Sequence, residues 1–216
     1  MIKKILKYTK NLILLCLGLV GIYLFNLFFM KPYSIDHFLG KELVLDLVDS
    51  PEAMTYIGVF DRFDWLTRHN SNLSIPKKDD RENSIKQYEQ VIKTLYKYDD
   101  SSLSQVQRNT KKIALFDAEN NLKQVKEFPH HDYPLNQIGG IHLNTIEFLS
   151  DMHPIRNESE AKDFIKRVNL IKKLYTGVLA DLEEQADAGI FPPEFVYDHV
   201  INQLSDFINY DYNEHP

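Results

Sequence analysis

Apolar side chains form one long run near the start of the chain and then recur every three or four residues over most of its length. In residues 12–30 the only strongly polar side chain is Asn26. A helix of this length reaches about 28 Å, close to the thickness of the hydrocarbon core of a bilayer. The lysine-rich residues 1–10 precede it, and such a flank keeps the N-terminus in the cytoplasm. The pattern predicts a single-pass transmembrane helix within residues 1–32, with the rest of the chain outside.

A cleaved signal peptide and a lipoprotein signal are the two other interpretations of this run. A cleaved signal peptide has a shorter apolar core that ends in small residues, whereas this run ends in two phenylalanines and Met30. A lipoprotein signal needs a small residue directly before its cysteine, and here Leu15 precedes Cys16. We therefore expect an uncleaved signal anchor.

Residues 33–216 show helical spacing and no convincing strand alternation. The sequence therefore predicts an all-α protein, in which the transmembrane helix is followed by an irregular multi-helix domain. The predicted helices cover residues 34–48, 50–58 with Ser50 as N-cap, 80–98, a segment opened by Ser102 with Gln105, about residues 157–189, and 195–207. The aromatic residues of segment 60–65 are expected to pack into the core. The longest helix has a broad apolar stripe, so we expect the domain to be part of a larger helical fold.

A stretch of polar and aromatic residues, 133–140, lies in the middle of this pattern. Pro134 biases Tyr133 away from helical backbone angles, and the pair Gly139-Gly140 lets the backbone approach a neighbour closely. An apolar stripe at helical spacing follows, and the pair at residues 153–154, His-Pro, ends it. The stretch is predicted to be a turn that leads into a helix.

We interpret this stretch as the wall of a cleft, with Tyr133, Asn136, Gln137, Gly140 and His142 as candidate cleft-lining residues. A dry core would have to satisfy the donors and acceptors of Asn136 and Gln137, whereas a wet cleft satisfies them with water or substrate. The alternative is a structural turn, in which Asn136 and Gln137 cap the following helix. The sequence leaves both interpretations open.

Charge and cysteine content narrow the function classes. The net charge of -6 argues against a nucleic-acid-binding protein, which would have a basic face. The single cysteine, Cys16, lies inside the apolar run, so the chain forms no internal disulfide and has no cysteine nucleophile or cysteine-based metal site.

The common catalytic motifs are missing from these residues. There is no His-Glu-x-x-His zinc motif, no Gly-x-Ser-x-Gly nucleophile elbow and no glycine-rich phosphate loop with lysine. The histidines His130 and His131 are adjacent, and His142 and His153 follow at intervals too long for one helical turn. A metal site needs three or four convergent ligands, so ordinary surface or capped histidines are the favoured interpretation and no metal site is predicted.

Five motifs occur in a fixed order, at residues 50–58, 103–107, 133–140, 161–168 and 189–196. The most distinctive reads Tyr-Pro-Leu-Asn-Gln-x-x-Gly and is followed, after an apolar helix, by His-Pro-Ile. This ordered set resembles a bacterial family of unknown function, DUF885, which is related to the gluzincin zinc peptidases. The resemblance covers most of the chain from about residue 33 onward.

The resemblance implies a function class, a cofactor and a location. Family members are much longer, and their zinc-binding His-Glu-x-x-His helix lies in a part that this sequence lacks. The chain then corresponds to the N-terminal helical portion of a membrane-anchored hydrolase, with zinc expected only in full-length relatives and the missing C-terminal half as its partner. The alternative is a stand-alone, non-catalytic module that binds a protein or peptide. Under both interpretations the chain is expected in the bacterial inner membrane, with most of its residues in the periplasm or outside the cell.

Overall fold

The computed structural model describes residues 2–211 and residue 213, with side chains from residue 6 onward. The first residue of the basic flank and the last three residues of the predicted helical domain therefore lie outside the described residues, as does residue 212. Helices and turns account for the described chain, and no strand occurs in it. The predicted all-α fold is confirmed.

Ten α-helices follow one another along the described chain, joined by short 3₁₀ turns and by one π-helical turn at Phe148–Met152. They are α1 (Ile2–Phe29), α2 (Ile35–Asp49), α3 (Pro51–Ile57), α4 (Asp64–Thr67), α5 (Asp80–Leu95), α6 (Gln105–Glu127), α7 (Ile141–Glu147), α8 (Glu158–Asn169), α9 (Ile171–Asp187) and α10 (Glu194–Asn209). The chain forms two compact units, residues 1–45 with 86–122 and residues 46–85 with 123–216.

Helix α1 contains a segment, Leu6–Phe29, that is long and apolar enough to cross a membrane, with a mean hydropathy of 2.5. The one strongly polar side chain of the predicted span, Asn26, lies near its end. Its Nδ2 donates to Lys31 O at 2.9 Å, and its Oδ1 accepts from Tyr33 N at 3.0 Å. The amide thus binds the backbone that leaves the helix, which explains why an apolar run ends with an asparagine in it.

The first unit has a small core of Ile35, Phe38, Leu95 and Tyr98. The Tyr98 hydroxyl donates to Pro32 O at 2.8 Å, and burial raises the pKa of Tyr98 to about 12. This bond holds the segment after α1 against α5 and its C-terminal turn.

The second unit has a core of Leu73, Leu174 and Val178. Three apolar side chains from the middle of the chain, Leu135, Ile141 and Phe148, pack against it. Residues 133–154, which we call the central stretch, are therefore attached to the hydrophobic core of this unit through their own apolar side chains.

Two predicted helix starts are confirmed, and one is wrong by two residues. Ser50 Oγ accepts from Ala53 N at 3.2 Å, and Asn157 Oδ1 accepts from two backbone N–H groups of α8. Helix α6 is capped by Ser104 and not by Ser102, because Ser104 and Gln107 exchange side chain to backbone hydrogen bonds in both directions. Ser102 instead ends a 3₁₀ turn.

The long helix predicted over about residues 157–189 is two helices, α8 and α9. Leu170 separates them, and its N–H bonds to Arg167 O at 3.0 Å in an i to i−3 pattern. Such a tightened turn has about 3.0 residues instead of 3.6, so the apolar spacing on either side is nearly unchanged. Periodicity therefore cannot locate the break.

The segment of residues 60–65 does not pack into the core as expected. Phe63 is 52% exposed and Trp65 is 74% exposed. The aspartates of the segment are largely buried instead, because the carboxylates of Asp61 and Asp64 both lie against the buried ring of His69.

Candidate functional site

The central turn, residues 133–140, is built around Asn136. Its Oδ1 accepts from Ile138 N at 3.1 Å and from Gly139 N at 2.8 Å, and its Nδ2 donates to Tyr133 O. Gly140 N closes the turn by donating to Asn136 O at 3.1 Å. Asn136 therefore caps the turn itself, whereas the N-cap residue of α7 is Gly140, which has no side chain to contribute.

Gly140 occupies a position with no room for a side chain. A Cβ atom there would lie 2.6 Å from Asn136 N, 2.7 Å from Asn136 O and 2.7 Å from His142 Cε1. At its neighbour Gly139, a Cβ atom would meet nothing within 4 Å. The close approach expected of the glycine pair is thus a property of Gly140 alone.

His142 and Gln137 connect the central turn to helix α10 through Gln203. His142 Nε2 lies 2.9 Å from Gln203 Oε1, and Gln203 Nε2 donates to Gln137 O at 3.1 Å. Because the amide oxygen can only accept, the proton of the His142 ring lies on Nε2. His142 is 1% exposed, and its Nδ1 has no hydrogen-bond partner among the described residues.

An apolar groove of about 400 Å³, the α9–α10 groove, lies beside the turn. It is lined by Leu135 of the turn, by Leu182, Gln185 and Ala186 of α9, by the connection Ile190-Phe191-Pro192, and by Val196, Tyr197, Val200, Ile201 and Leu204 of α10. None of the five predicted cleft residues is in this lining. Tyr133 reaches its edge, where the hydroxyl donates to Phe191 O at 3.3 Å.

A second, charged pocket of about 360 Å³ lies where the N-terminal end of α5 meets α9. Lys77, Lys78, Arg81 and His130 contribute positive or titratable groups, and Asp80, Asp132, Asp181 and Glu184 contribute carboxylates. Burial and the nearby carboxylates of Glu184 and Asp80 raise the pKa of Asp181. Histidines and acidic residues do not converge in groups of three or more that could hold a metal ion anywhere in the described part of the chain.

Arg167 of α8 makes four side-chain hydrogen bonds in the second unit, although it belongs to none of the predicted site residues. Its guanidinium donates to Asn72 O at 2.7 Å, to His153 Nδ1 at 2.7 Å, to Thr55 Oγ1 at 2.9 Å and to His69 O. We call these five residues the Arg167 network. Helix α8 is turned so that Arg167, with 0% exposure, faces inward, whereas Ile165 of the predicted apolar stripe is 60% exposed.

Among the described residues no carboxylate forms an ion pair with this guanidinium, although Arg167 is 0% exposed. Burial lowers the pKa of Arg167 to about 10, and the carboxylates of Glu52, Asp64 and Asp163 partly oppose that shift. A pKa of about 10 leaves the group charged at neutral pH. Its charge is distributed over neutral acceptors and over the face of Phe148, whose ring centroid is 4.8 Å from Cζ.

The Arg167 network holds the far end of the central stretch. Phe148 begins the π-helical turn, and His153 follows that turn as the first residue of the His-Pro pair that ends the stretch. The stretch is thus fixed at one end by the contact between His142 and Gln203 and at the other by Arg167. The sequence signal for Arg167 is its spacing, three residues after Phe164 and four before Ile171, which places it on the buried face of its helix.

His153 has a defined protonation state in this network. Its Nδ1 accepts from Arg167 NH1 and its Nε2 lies 3.3 Å from Glu160 O, so the ring is neutral with its proton on Nε2. Burial lowers the pKa of His153, and the Arg167 charge lowers it further against the opposing effect of the Glu160 carbonyl. A second proton on Nδ1 would face a donor that is already charged.

Acidification below about pH 6.5 is therefore expected to destabilise the folded chain through His153. The unfolded chain takes up a proton near this pH, whereas the folded chain binds it only at its lower pKa, so the free energy of unfolding falls as the pH falls. Urea unfolding followed by helical circular dichroism between about pH 7.5 and pH 5 measures this slope. His153→Gln, which has an acceptor and a donor but no titration, should flatten it, and equal slopes in both proteins would contradict the assignment.

Comparison with known families gives one match. The family described as "Bacterial protein of unknown function (DUF885)" matches residues 51–216, which include the central turn, the α9–α10 groove and the Arg167 network. No curated protein and no solved structure matches the chain.

Proposed function

Because the chain belongs to the bacterial family of unknown function DUF885, we propose that it forms the membrane-anchored helical portion of a zinc-peptidase-like hydrolase. The family match over residues 51–216 supports this proposal, together with the resemblance of that family to the gluzincin zinc peptidases. Under this proposal the metal-binding His-Glu-x-x-His helix lies outside these 216 residues, so zinc would be bound by the complete protein and not by this chain alone.

The α9–α10 groove supports a role in binding substrate. A mainly apolar groove with a few polar groups at its edge suits the side chains of an extended peptide. The central turn supplies one wall through Leu135, and Gly140, Asn136 and the contact between His142 and Gln203 hold that wall in place. We propose that Tyr133, Asn136, Gln137, Gly140 and His142 face the path from this groove to the zinc in the complete protein.

The purified chain is expected to bind no stoichiometric zinc and to hydrolyse no peptide. The physical reason is that a zinc site needs three or four convergent ligands, which this proposal assigns to another part of the protein. Elemental analysis and a peptide-hydrolysis assay on the full chain measure both properties. One tightly bound zinc per chain, lost when His130, His131 and His142 are replaced together, would overturn the proposal.

We further propose that α1 is a retained anchor in the bacterial inner membrane, with its N-terminus cytoplasmic and the bulk of the chain periplasmic or extracellular. Its length and hydropathy suit a single span. Alkaline carbonate extraction of cell membranes should leave the chain in the membrane fraction with its N-terminus intact. A soluble mature protein that begins after Met30 would contradict the anchor.

The second candidate function is a non-catalytic, membrane-anchored module that binds a protein or peptide partner. Exposed apolar side chains on α10, including Phe195, Ile201 and Ile208, favour it. A full chain that is monomeric and stably folded in detergent would support this alternative. A chain that is stable only with a partner carrying a zinc site would support the hydrolase.

A further inference from the structure

The segment of residues 56–68 has its apolar side chains outside and its acidic side chains inside. Six of its apolar residues are each more than half exposed: Tyr56, Ile57, Val59, Phe63, Trp65 and Leu66. These residues lie on the end of α3, a 3₁₀ turn and the short helix α4, so they protrude from turns. Exposed patches of this kind mark interaction sites.

Both acidic residues of the segment are largely buried and bind other groups of the second unit. Asp61 Oδ1 lies 3.5 Å from the buried His69 Nε2, and Asp61 Oδ2 pairs with the exposed Arg156 NH2 at 2.7 Å. Asp64 Oδ1 accepts from Asn70 N at 2.9 Å and lies 3.2 Å from His69 Nδ1. Both carboxylates of the segment are therefore already bound by groups of the same unit, although acidic, basic and aromatic residues alternate in its sequence.

The basic residues of the segment, Arg62 and Arg68, are exposed. Neither guanidinium has a hydrogen-bond or ion-pair partner in the described part of the chain. The exposed side chains of the segment thus combine large aromatic and aliphatic groups with two positive charges that have no partner among the described residues. Aromatic rings, aliphatic side chains and arginine are the residues that proteins place at the interface between a bilayer and water, and positive charge favours anionic headgroups.

We propose that residues 56–68 form a second membrane contact, which inserts Trp65 and its apolar neighbours into the interface of an anionic bilayer. The proposal rests on the proposed anchor α1, which keeps the segment at a high effective concentration near one bilayer surface. An affinity for lipid that is too weak to bring a soluble protein to the bilayer is then sufficient to keep this segment on it. Charge complementarity favours lipid over a protein surface as the occupant, because both carboxylates of the segment already bind other groups, whereas its two arginines have no partner among the described residues.

Trp65 is the only tryptophan in the chain, so its fluorescence reports on this segment alone. The full chain is reconstituted into vesicles of phosphatidylglycerol and phosphatidylcholine, with or without phospholipids that carry bromine near the glycerol end of the acyl chain. We expect brominated lipid to quench Trp65 emission at least twofold, and we expect weaker quenching in vesicles of phosphatidylcholine alone. The double variant Arg62→Gln, Arg68→Gln should lose most of the difference between the two lipid compositions.

The matched controls separate the contact from folding and from the anchor. Phe63→Ser with Leu66→Ser should abolish the quenching, whereas Ile208→Ser, at a position 77% exposed on α10, should not change it. Helical circular dichroism checks that each variant folds, and carbonate extraction reports α1 independently. Extraction of the chain by carbonate together with persistent quenching would reject the anchor and support the lipid contact.

Two results would overturn the proposal. If Trp65 emits as a water-exposed residue and brominated lipid has no effect, while carbonate leaves the chain in the membrane, the segment does not contact lipid. If Trp65 emission is shifted to the blue but brominated lipid does not quench it, another protein or a second copy of the chain covers the segment.

Discussion

Replacing Arg167 with methionine is expected to lower the free energy of unfolding by about 3–5 kcal/mol. Methionine fills much of the same volume but donates no hydrogen bond. The carbonyls of His69 and Asn72, the Thr55 hydroxyl and His153 Nδ1 would all lose their donor inside the protein. Leaving several buried acceptors without a donor is among the costliest changes a core tolerates.

Urea unfolding of the full chain in mild detergent, followed by helical circular dichroism, measures this effect. Arg167→Lys should fall between the two proteins, because an ammonium keeps the charge but reaches fewer of the acceptors. Lys166→Met is the matched control on the same helix, since Lys166 is largely exposed and its ion pair with Asp163 is expected to contribute at most about 1 kcal/mol. Equal effects of Arg167→Met and Lys166→Met would show that the network does not hold the second unit together.

Gly140→Ala is expected to destabilise the chain by about 1–3 kcal/mol. The new methyl group would collide with the backbone of Asn136, which cannot move without breaking the turn. Helix α10 should be affected as well, because the methyl group would also lie 2.7 Å from His142 Cε1, and the His142 ring binds Gln203 of α10. The expected signature is a lower urea midpoint with faster hydrogen exchange in α7 and α10.

Gly139→Ala provides the control for this prediction. The two positions are adjacent, but a Cβ atom at Gly139 meets open space. We expect a change within about 0.5 kcal/mol there, as for other surface substitutions. A similar loss of stability in both variants would mean that backbone flexibility, and not the close approach at Gly140, explains the glycine pair.

Local signals in the sequence were sufficient for most of the helices. Ser50 and Asn157 predict helix starts because a cap bonds to backbone groups two or three residues away. The same rule gave the wrong cap residue, Ser102, for helix α6, because three of the four residues 101–104 are serines and each could be the N-cap. The break at Leu170 left no signal, because one tightened turn hardly disturbs the apolar period.

Long-range features of the site could not be read from the sequence. The spacing of Arg167 places it on the buried face of its helix, but its partners are not visible in the sequence, since Thr55 lies 112 positions earlier. A tryptophan is usually expected in a core. Trp65 is exposed because the neighbouring Asp61 and Asp64 bind Arg156 and His69, and Arg156 is distant in the sequence. Of the predicted site, the turn geometry follows from Asn136 and Gly140, and the role of its residues in a cleft remains a prediction.

Peptide hydrolysis by the native protein tests the proposed function most directly. Antibodies against residues 33–211 would recover the protein from its own cells in mild detergent, and hydrolysis of a mixed peptide substrate would be measured before and after zinc is removed. The account predicts hydrolysis that is lost on chelation and restored by zinc. Recovery of a chain of only 216 residues that binds no zinc, has no zinc-bearing partner and hydrolyses no peptide would contradict it.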